Sequence, residues 1–336
     1  MTEALSRTTA LQLPFRRGAG VPVLPRIASA VFVLWAAFTL TFILLTLLPS
    51  DAIQLRFDAD GASYTSAQLE AIRAYYGFDR PALARYLDAL LAAVRGDLGY
   101  SIASGLPVGE RIAEALRSTV PLAAAAAVVA LVVAVSVSVL VNLPRRESLR
   151  RLLGGIPPVL GSVPSFWLGA VLINIVCFQL GWLPSLSRDS AQALILPSIT
   201  LGLVVAAPIA QVLTFSLSEA MDSPHVLLLR AHGFRRSSIL FRDGLAQASV
   251  PAVTLAALAV GDLLAGSIAV ETVFGRAGLG AVAKTAIEGQ DLPMLQGVVL
   301  FVAAAFVTTS LLADLITHRM RAPTAPSLAS GSRNGR

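Results

Sequence analysis

Residues 229–280 fall into two halves: a basic segment, Leu229-Arg230-Ala231-His232-Gly233-Phe234-Arg235-Arg236, and an apolar helix that closes on Val270-Glu271-Thr272-Val273-Phe274-Gly275-Arg276-Ala277-Gly278-Leu279-Gly280. Gly233 and Pro251 stand eighteen residues apart, which leaves room for a surface helix, a turn and the first residues of a membrane helix. The basic half is placed to touch a partner, and the apolar half to line a path. Just upstream, Pro224 suits the first turn of a helix, Val226 to Leu229 supply an apolar face, and Gly233 can end the helix in the left-handed conformation that other residues resist. Four consecutive apolar residues on a short water-facing helix are the expected shape of a plug into another subunit.

Outward from that stretch the whole chain is apolar. Of its 336 residues 55% are hydrophobic and only 14% charged, with a mean hydropathy of +0.73, far outside the range of a soluble domain. The expected fold is all-α and polytopic, with six transmembrane helices. Uncharged residues Ile27 to Ser50 form the first span, without the cleavage site of a secretory signal. Ser118 to Pro144, Leu152 to about Leu180, Ala191 to Ser218, Gln247 to Val270 and Leu292 to Ala313 are the others, each long enough to cross about 30 Å of hydrocarbon. Residues 1–25 and 319–336 read as tails, residues 26–50 as helix 1, and residues 118–318 as the membrane core, with a loop at about 219–245. Residues 51–117 are the one long polar region, an external subdomain of short helices in which Leu83, Tyr86, Leu87, Leu90, Leu91 and Val94 recur at helical spacing. Glu271 to Asp291 reads as an external re-entrant or amphipathic piece.

Arginines orient these spans. Arg7, Arg16, Arg17 and Arg26, then Arg145, Arg146, Arg150 and Arg151, then Arg230, Arg235, Arg236 and Arg242, and last Arg319, Arg321, Arg333 and Arg336 fall on one side of a six-span chain, which puts both termini in the cytoplasm. The basic surplus, 26 against 20 acids, is thus a topology signal and not the footprint of nucleic acid. The predominance of arginine over the single Lys284, beside long alanine-rich runs, reads as coding bias toward high GC. Cys177 stands alone, so there is neither a disulfide framework nor a cysteine metal site.

Enzymatic readings fare poorly. Gly278-Leu279-Gly280-Ala281-Val282-Ala283-Lys284-Thr285 is one residue from a phosphate loop, with Ala283 where the second glycine belongs and no strand expected before it. The three histidines, His225, His232 and His318, lie in or beside arginine-rich loops, far in depth from Ser162 or Ser165. Within the membrane the acid that needs a purpose is Asp262, more than halfway along the fifth helix, where an unpaired carboxylate costs several kcal/mol. It faces either a translocation passage or a partner at an interface. Asp314, ending the sixth helix, can pair with Arg319.

The same words resemble a family. The stretch from Arg230 to Gly233 with Pro251, Gly261 to Gly266, Val270 to Phe274 and Ala277 to Gly280 is similar to the inner-membrane permeases of dipeptide, oligopeptide and nickel ABC importers, as are Gly77 to Pro81, Gly96 to Ser101 and the Ser162 to Gly169 run S-V-P-S-F-W-L-G. The resemblance covers about Arg26 to Asp314 and departs from the family at Ala265, Ala277 and His232. It implies a multi-pass permease of the bacterial inner membrane, in lipid, paired with a second permease subunit as a heterodimer, two ATPase subunits that bind ATP and Mg, and an external solute-binding protein. No catalytic residue, metal site or cofactor is implied in this chain. Pro224, His225, Val226, Leu227, Leu228, Leu229, Arg230, Ala231, His232 and Gly233 would then form the coupling helix. Asp262, Gly261, Gly266, Ser162 and Pro164 are the candidates for the translocation path. Peptides, nickel or other metal chelates, and opine-like metallophores all use similar permeases. A stand-alone secondary transporter is the reading from a different class, and it calls for an internal repeat that the sequence does not show.

Overall fold

The computed structural model describes residues 23–46, 80–183 and 191–321. In order these residues form α1 (Val23–Thr46), α2 (Ala82–Val94), α3 (Val108–Asn142), α4 (Glu147–Leu153), α5 (Ile156–Ser162), α6 (Ser165–Leu172, continued by a wide turn Ile173–Gln179), α7 (Ile195–Met221), α8 (Pro224–Ala231), α9 (Arg236–Ile239), α10 (Leu245–Val273), α11 (Leu279–Glu288) and α12 (Leu292–Arg321). Among the described residues there is no strand, only an isolated bridge between Tyr100 and Pro107. Helices are what a bilayer demands, because a backbone amide or carbonyl without a partner in hydrocarbon costs several kcal/mol.

Five helices are long and apolar enough to cross a membrane unbroken: α1, α3, α7, α10 and α12. The span expected over Leu152 to Leu180 is instead a bent pair, which makes a sixth crossing only if its two arms are taken together, and the chain bends by 96° between them. The cause is local. Pro164 disfavours helical backbone at the residue before it, and Val163 accordingly sits extended at φ −86°, ψ 121°. The second span also starts earlier than expected, since α3 begins at Val108 and runs 35 residues. Of the external region, Gly77 to Asp79 and everything from Asp51 onward to them lie outside the described residues, as does the loop carrying Arg188.

The core is stacked in three levels. At mid-height α3 and α7 meet along a seam of small residues, Ala126, Ala130 and Ala134 against Gly202, Ala206 and Ala210, with Leu122, Leu201 and Leu263 around it. The four-residue repeat puts each set on one helix face, and small side chains let the two backbones approach. A Cβ added at Gly202 would stand 2.7 Å from Val129 Cβ and 2.8 Å from the Ala126 carbonyl. Toward the arginine-rich end a polar ladder continues the seam: Thr214 Oγ1 donates to Ser138 Oγ at 3.1 Å, and Asn142 Nδ2 donates to the Thr214 carbonyl at 3.2 Å. Below that ladder Leu213, Leu217, Val226, Ile239 and Leu240 close the arginine-rich end; at the opposite end Val108, Ile112, Leu279, Ala283 and Met294 do the same. Asp314 pairs with Arg26 of α1, at 3.3 Å, which ties the arginine-rich ends of α1 and α12 together; the side chain of Arg319, the partner expected from sequence, lies outside the described residues.

Substituting Gly202→Ala is expected to lower stability by roughly 1–3 kcal/mol, the usual range for overpacking. Thermal unfolding of the purified variant in detergent, beside a control substitution at exposed Phe215, reads this directly.

Candidate functional site

α8 owes its limits to its first and last residues. Ser223 is extended and its Oγ accepts from the Val226 amide at 3.5 Å, while Pro224 occupies the first turn, where an amide would have no helical partner anyway. At the other end Gly233 is left-handed, φ +84°, and two amides fold back: Phe234 N to the Leu229 carbonyl at 3.2 Å and Gly233 N to the Arg230 carbonyl at 3.0 Å. The four apolar residues expected on one face are divided, as 100° per residue requires. Val226 is fully buried and Leu229 half-buried, whereas Leu227 and Leu228 are 56% and 58% exposed. Phe234 and Phe241 are exposed beside them in sequence, at 55% and 58%. His225 and His232 are exposed, and His232 Nδ1 lies 2.8 Å from the Leu228 carbonyl.

Three arginines at this end turn inward, while Arg235 and Arg242 are exposed. Arg230 Nη2 donates to the Met221 carbonyl at 2.8 Å, Arg236 Nη2 to the Asn142 carbonyl at 2.9 Å, and Arg150 Nη2 to Ser218 Oγ at 2.6 Å. Two of these cover carbonyls at the C-terminal ends of α7 and α3, where a cation also meets the negative end of the helix dipole. Arg230 thereby braces α8 against the end of α7.

The five residues expected along a path are not brought together. Gly261 and Gly266 are packing positions within the chain: a Cβ at Gly261 would come within 2.3 Å of Phe306 on α12, and one at Gly266 within 2.9 Å of Leu201 on α7. Asp262 points the other way. It is exposed, as are Leu258 and Ala265 on the same side of α10, and no hydrogen bond or ion pair reaches it among the described residues. Ser162 and Pro164 are exposed at the bend between α5 and α6, with Ser162 Oγ donating to the Pro158 carbonyl at 2.8 Å. Gly169, later in the same sequence word, lies against Phe274, 3.1 Å from where its Cβ would be, so S-V-P-S-F-W-L-G and V-E-T-V-F pack on one another.

Sequence reasoning passed over a fully buried acid, Glu271. Its side chain has no exposure; Thr119 Oγ1 of α3 donates to Oε1 at 2.6 Å and the Gly280 amide to Oε2 at 2.7 Å, while the Leu279 amide donates to Thr119 Oγ1 at 2.9 Å. Glu271 thus seats the first turn of α11 on the last turn of α10. Those amides are the ones a phosphate would need, and α10, a helix, precedes them where a phosphate loop has a strand. Gly278 and Gly280 make the approach possible, since a Cβ at either would fall within 2.3 Å of Glu271 Oε1 or 2.6 Å of the Ile268 backbone. A second buried acid, Asp291, repeats the device at α12: it accepts from the Met294 amide at 3.2 Å, from the Ala103 amide at 3.0 Å and from Ser101 Oγ. The available signal was position, each acid standing within a residue or a turn of a helix boundary in a quoted word or at its end. No group of three or more His, Cys, Asp or Glu that would hold a metal occurs among the described residues.

Replacing Glu271 by Ala leaves the Gly280 amide without an acceptor, at about 1–3 kcal/mol for a buried orphan, and removes the carboxylate that holds the Thr119 hydroxyl. The expected result is a lower unfolding temperature together with faster proteolysis within residues 275–290, and Thr119→Val is expected to reproduce part of both.

Comparison with known proteins places this architecture. Residues 134–321 match the family described as binding-protein-dependent transport system inner membrane component. The chain is 31% identical over 299 residues to the glutathione transport system permease protein GsiC of Escherichia coli (strain K12), covering 88% of this chain and 95% of that one, and equally to that of Shigella dysenteriae serotype 1 (strain Sd197). Among solved structures, the inward-facing MetNI methionine ABC transporter superposes with a TM-score of 0.53 at 18% identity, over 62% of this chain and 95% of that one, a likeness of fold.

Proposed function

We propose, for a chain that belongs to the family of binding-protein-dependent transport system inner membrane components and is the permease subunit of an ABC importer, that its solutes are peptides or similar small molecules and that α8 is where ATP hydrolysis in other subunits acts on it. It is a transport subunit and a multi-pass membrane protein. The observation that carries the coupling reading is α8 itself: a helix fixed on one side by buried Val226 and by Arg230, with Leu227 and Leu228 left in water on the other. Apolar side chains held outward on a braced helix suit a groove in a second protein.

On this reading two ATPase subunits hold ATP and Mg and receive α8, a second permease supplies the other wall of the pathway, and a solute-binding protein delivers from the opposite side. The arginine-rich end and both termini face the cytoplasm. Closure of the ATPases moves α8, and the spans re-open toward the other side in alternating access. Relatives named for glutathione transport, a small peptide, support peptide-like solutes. Tagged chain is expected to co-purify with a second permease and an ATPase, and the reconstituted assembly to take up peptide only with ATP. Solute uptake by the chain alone, without ATP, overturns the proposal.

Leu228→Asp is expected to abolish ATP-driven uptake while leaving membrane insertion intact, because it puts a charge into an apolar contact without touching the core. Gly233→Val forces a β-branched residue into left-handed backbone at about 1–2 kcal/mol and should lower uptake less. Wild-type uptake and ATPase stimulation in both variants count against α8.

Asp262, unpaired on an outward face of α10, is assigned to the passage. Asp262→Asn is expected to keep assembly and ATP hydrolysis but to reduce uptake of a cationic peptide more than that of a neutral one. Loss of assembly, or equal retention of both, moves Asp262 to an interface.

A further inference from the structure

The apolar side chains of α2 do not pack inward as an external subdomain would have them. Leu83, Leu87, Leu91 and Val94, spaced four, four and three residues apart, form one stripe and are 70%, 48%, 56% and 79% exposed, and α2 buries no residue fully. The side that does pack is the one bearing Tyr86, whose hydroxyl lies 2.8 Å from Thr39 Oγ1 and whose ring lies 5.4 Å from that of Phe42, both on α1. These contacts fix a depth. Thr39 is 13 residues beyond Arg26, so about 20 Å along α1 at about 1.5 Å per residue, some two-thirds of the way across a hydrocarbon layer of about 30 Å. The far half of α2 faces the start of α12, since Ala89, Ala92 and Ala93 share a cavity with Leu292, Pro293 and Gln296, the first turns of that span.

We infer that α2 lies in the membrane interface, with its leucine stripe set into the acyl chains of the leaflet opposite the arginine-rich end. At the same level α1 leaves Leu40, Ile43 and Leu44 exposed, side chains whose surroundings in a spanning helix are hydrocarbon, so the lipid-facing surface runs on from α1 to α2. The charged groups of α2 lie off the stripe: Arg85 is on the opposite side of the helix, its guanidinium 6.0 Å from the Phe42 ring, and Asp88 pairs with Arg80 at 3.2 Å on an exposed flank. A strongly amphipathic helix with an open apolar face, held at headgroup depth by an aromatic and a spanning helix, is the arrangement of an interfacial anchor.

Quenching by lipid tests this, with a readout that does not depend on transport. In a Cys177→Ser background, a bimane label at Leu87→Cys, and separately at Leu91→Cys, is placed in the full chain, expressed with its partner subunits and reconstituted in phosphatidylcholine vesicles, plain or brominated on the acyl chains. The expected result is a loss of fluorescence in brominated lipid matching that of a label at Val31→Cys on the exposed face of α1, with little quenching by iodide. A label at Glu110→Cys should show the reverse. Quenching by iodide and not by brominated lipid at positions 87 and 91 shows a stripe in water, and protection from both shows one covered by protein; either result overturns the proposal.

Discussion

A carboxylate seated on the start of a helix is the interaction on which the far end of this molecule depends. Glu271 ends one long span and, through its two oxygens, holds the Gly280 amide of α11 and the hydroxyl of Thr119 on α3, which in turn holds the Leu279 amide. Two consecutive helices and a third, reached at Thr119 152 residues earlier, are thereby fixed at one point, at a site sealed from solvent. Asp291 does the same a helix later and draws in the loop at Ser101. With both acids in place the starts of α11 and α12 each have an amide bonded to a carboxylate, and the loop at Ser101 is held to the second of them.

The spans were legible because a charge-free run of that length has few other uses, and the limits of α8 were legible because Pro224 and Gly233 act through their own backbone chemistry. What failed was what depends on neighbours. Hydropathy averages over Ser162 to Pro164 and so reads a bent pair as one straight span, although the proline that bends it was in view. The alanine-rich run of α3 looked like coding bias, yet Ala126, Ala130 and Ala134 are the surface on which α7 lies. Composition cannot tell those cases apart; a four-residue repeat facing Gly202, Ala206 and Ala210 can, but only once the two helices are known to meet.

The candidate site was legible with similar unevenness. Gly261, Asp262 and Gly266 share one sequence word, but neighbours on a helix point in different directions, and the glycines admit Phe306 and Leu201 while Asp262 faces away. Arginines counted for orientation alone also cover the carbonyl ends of α3 and α7. A single side chain such as Arg230 can satisfy a topology rule and a local bonding need at once, and the sequence displays only the first.

The bend between α5 and α6 has a consequence for how the surface is divided. The first amides of α6 have no partner within their own helix, and no side chain caps them. Bare hydrocarbon does not tolerate such groups, whereas water or another protein does. Side-chain polarity gives no guidance here, because Phe166 and Trp167 beside the bend are as apolar and as exposed as the outer face of α1. The backbone supplies the distinction that the side chains withhold: the circumference of this subunit has a dry sector around α1 and a sector at the bend that must be wet or covered, and the second sector is where the chain, taken alone, is an unfinished wall.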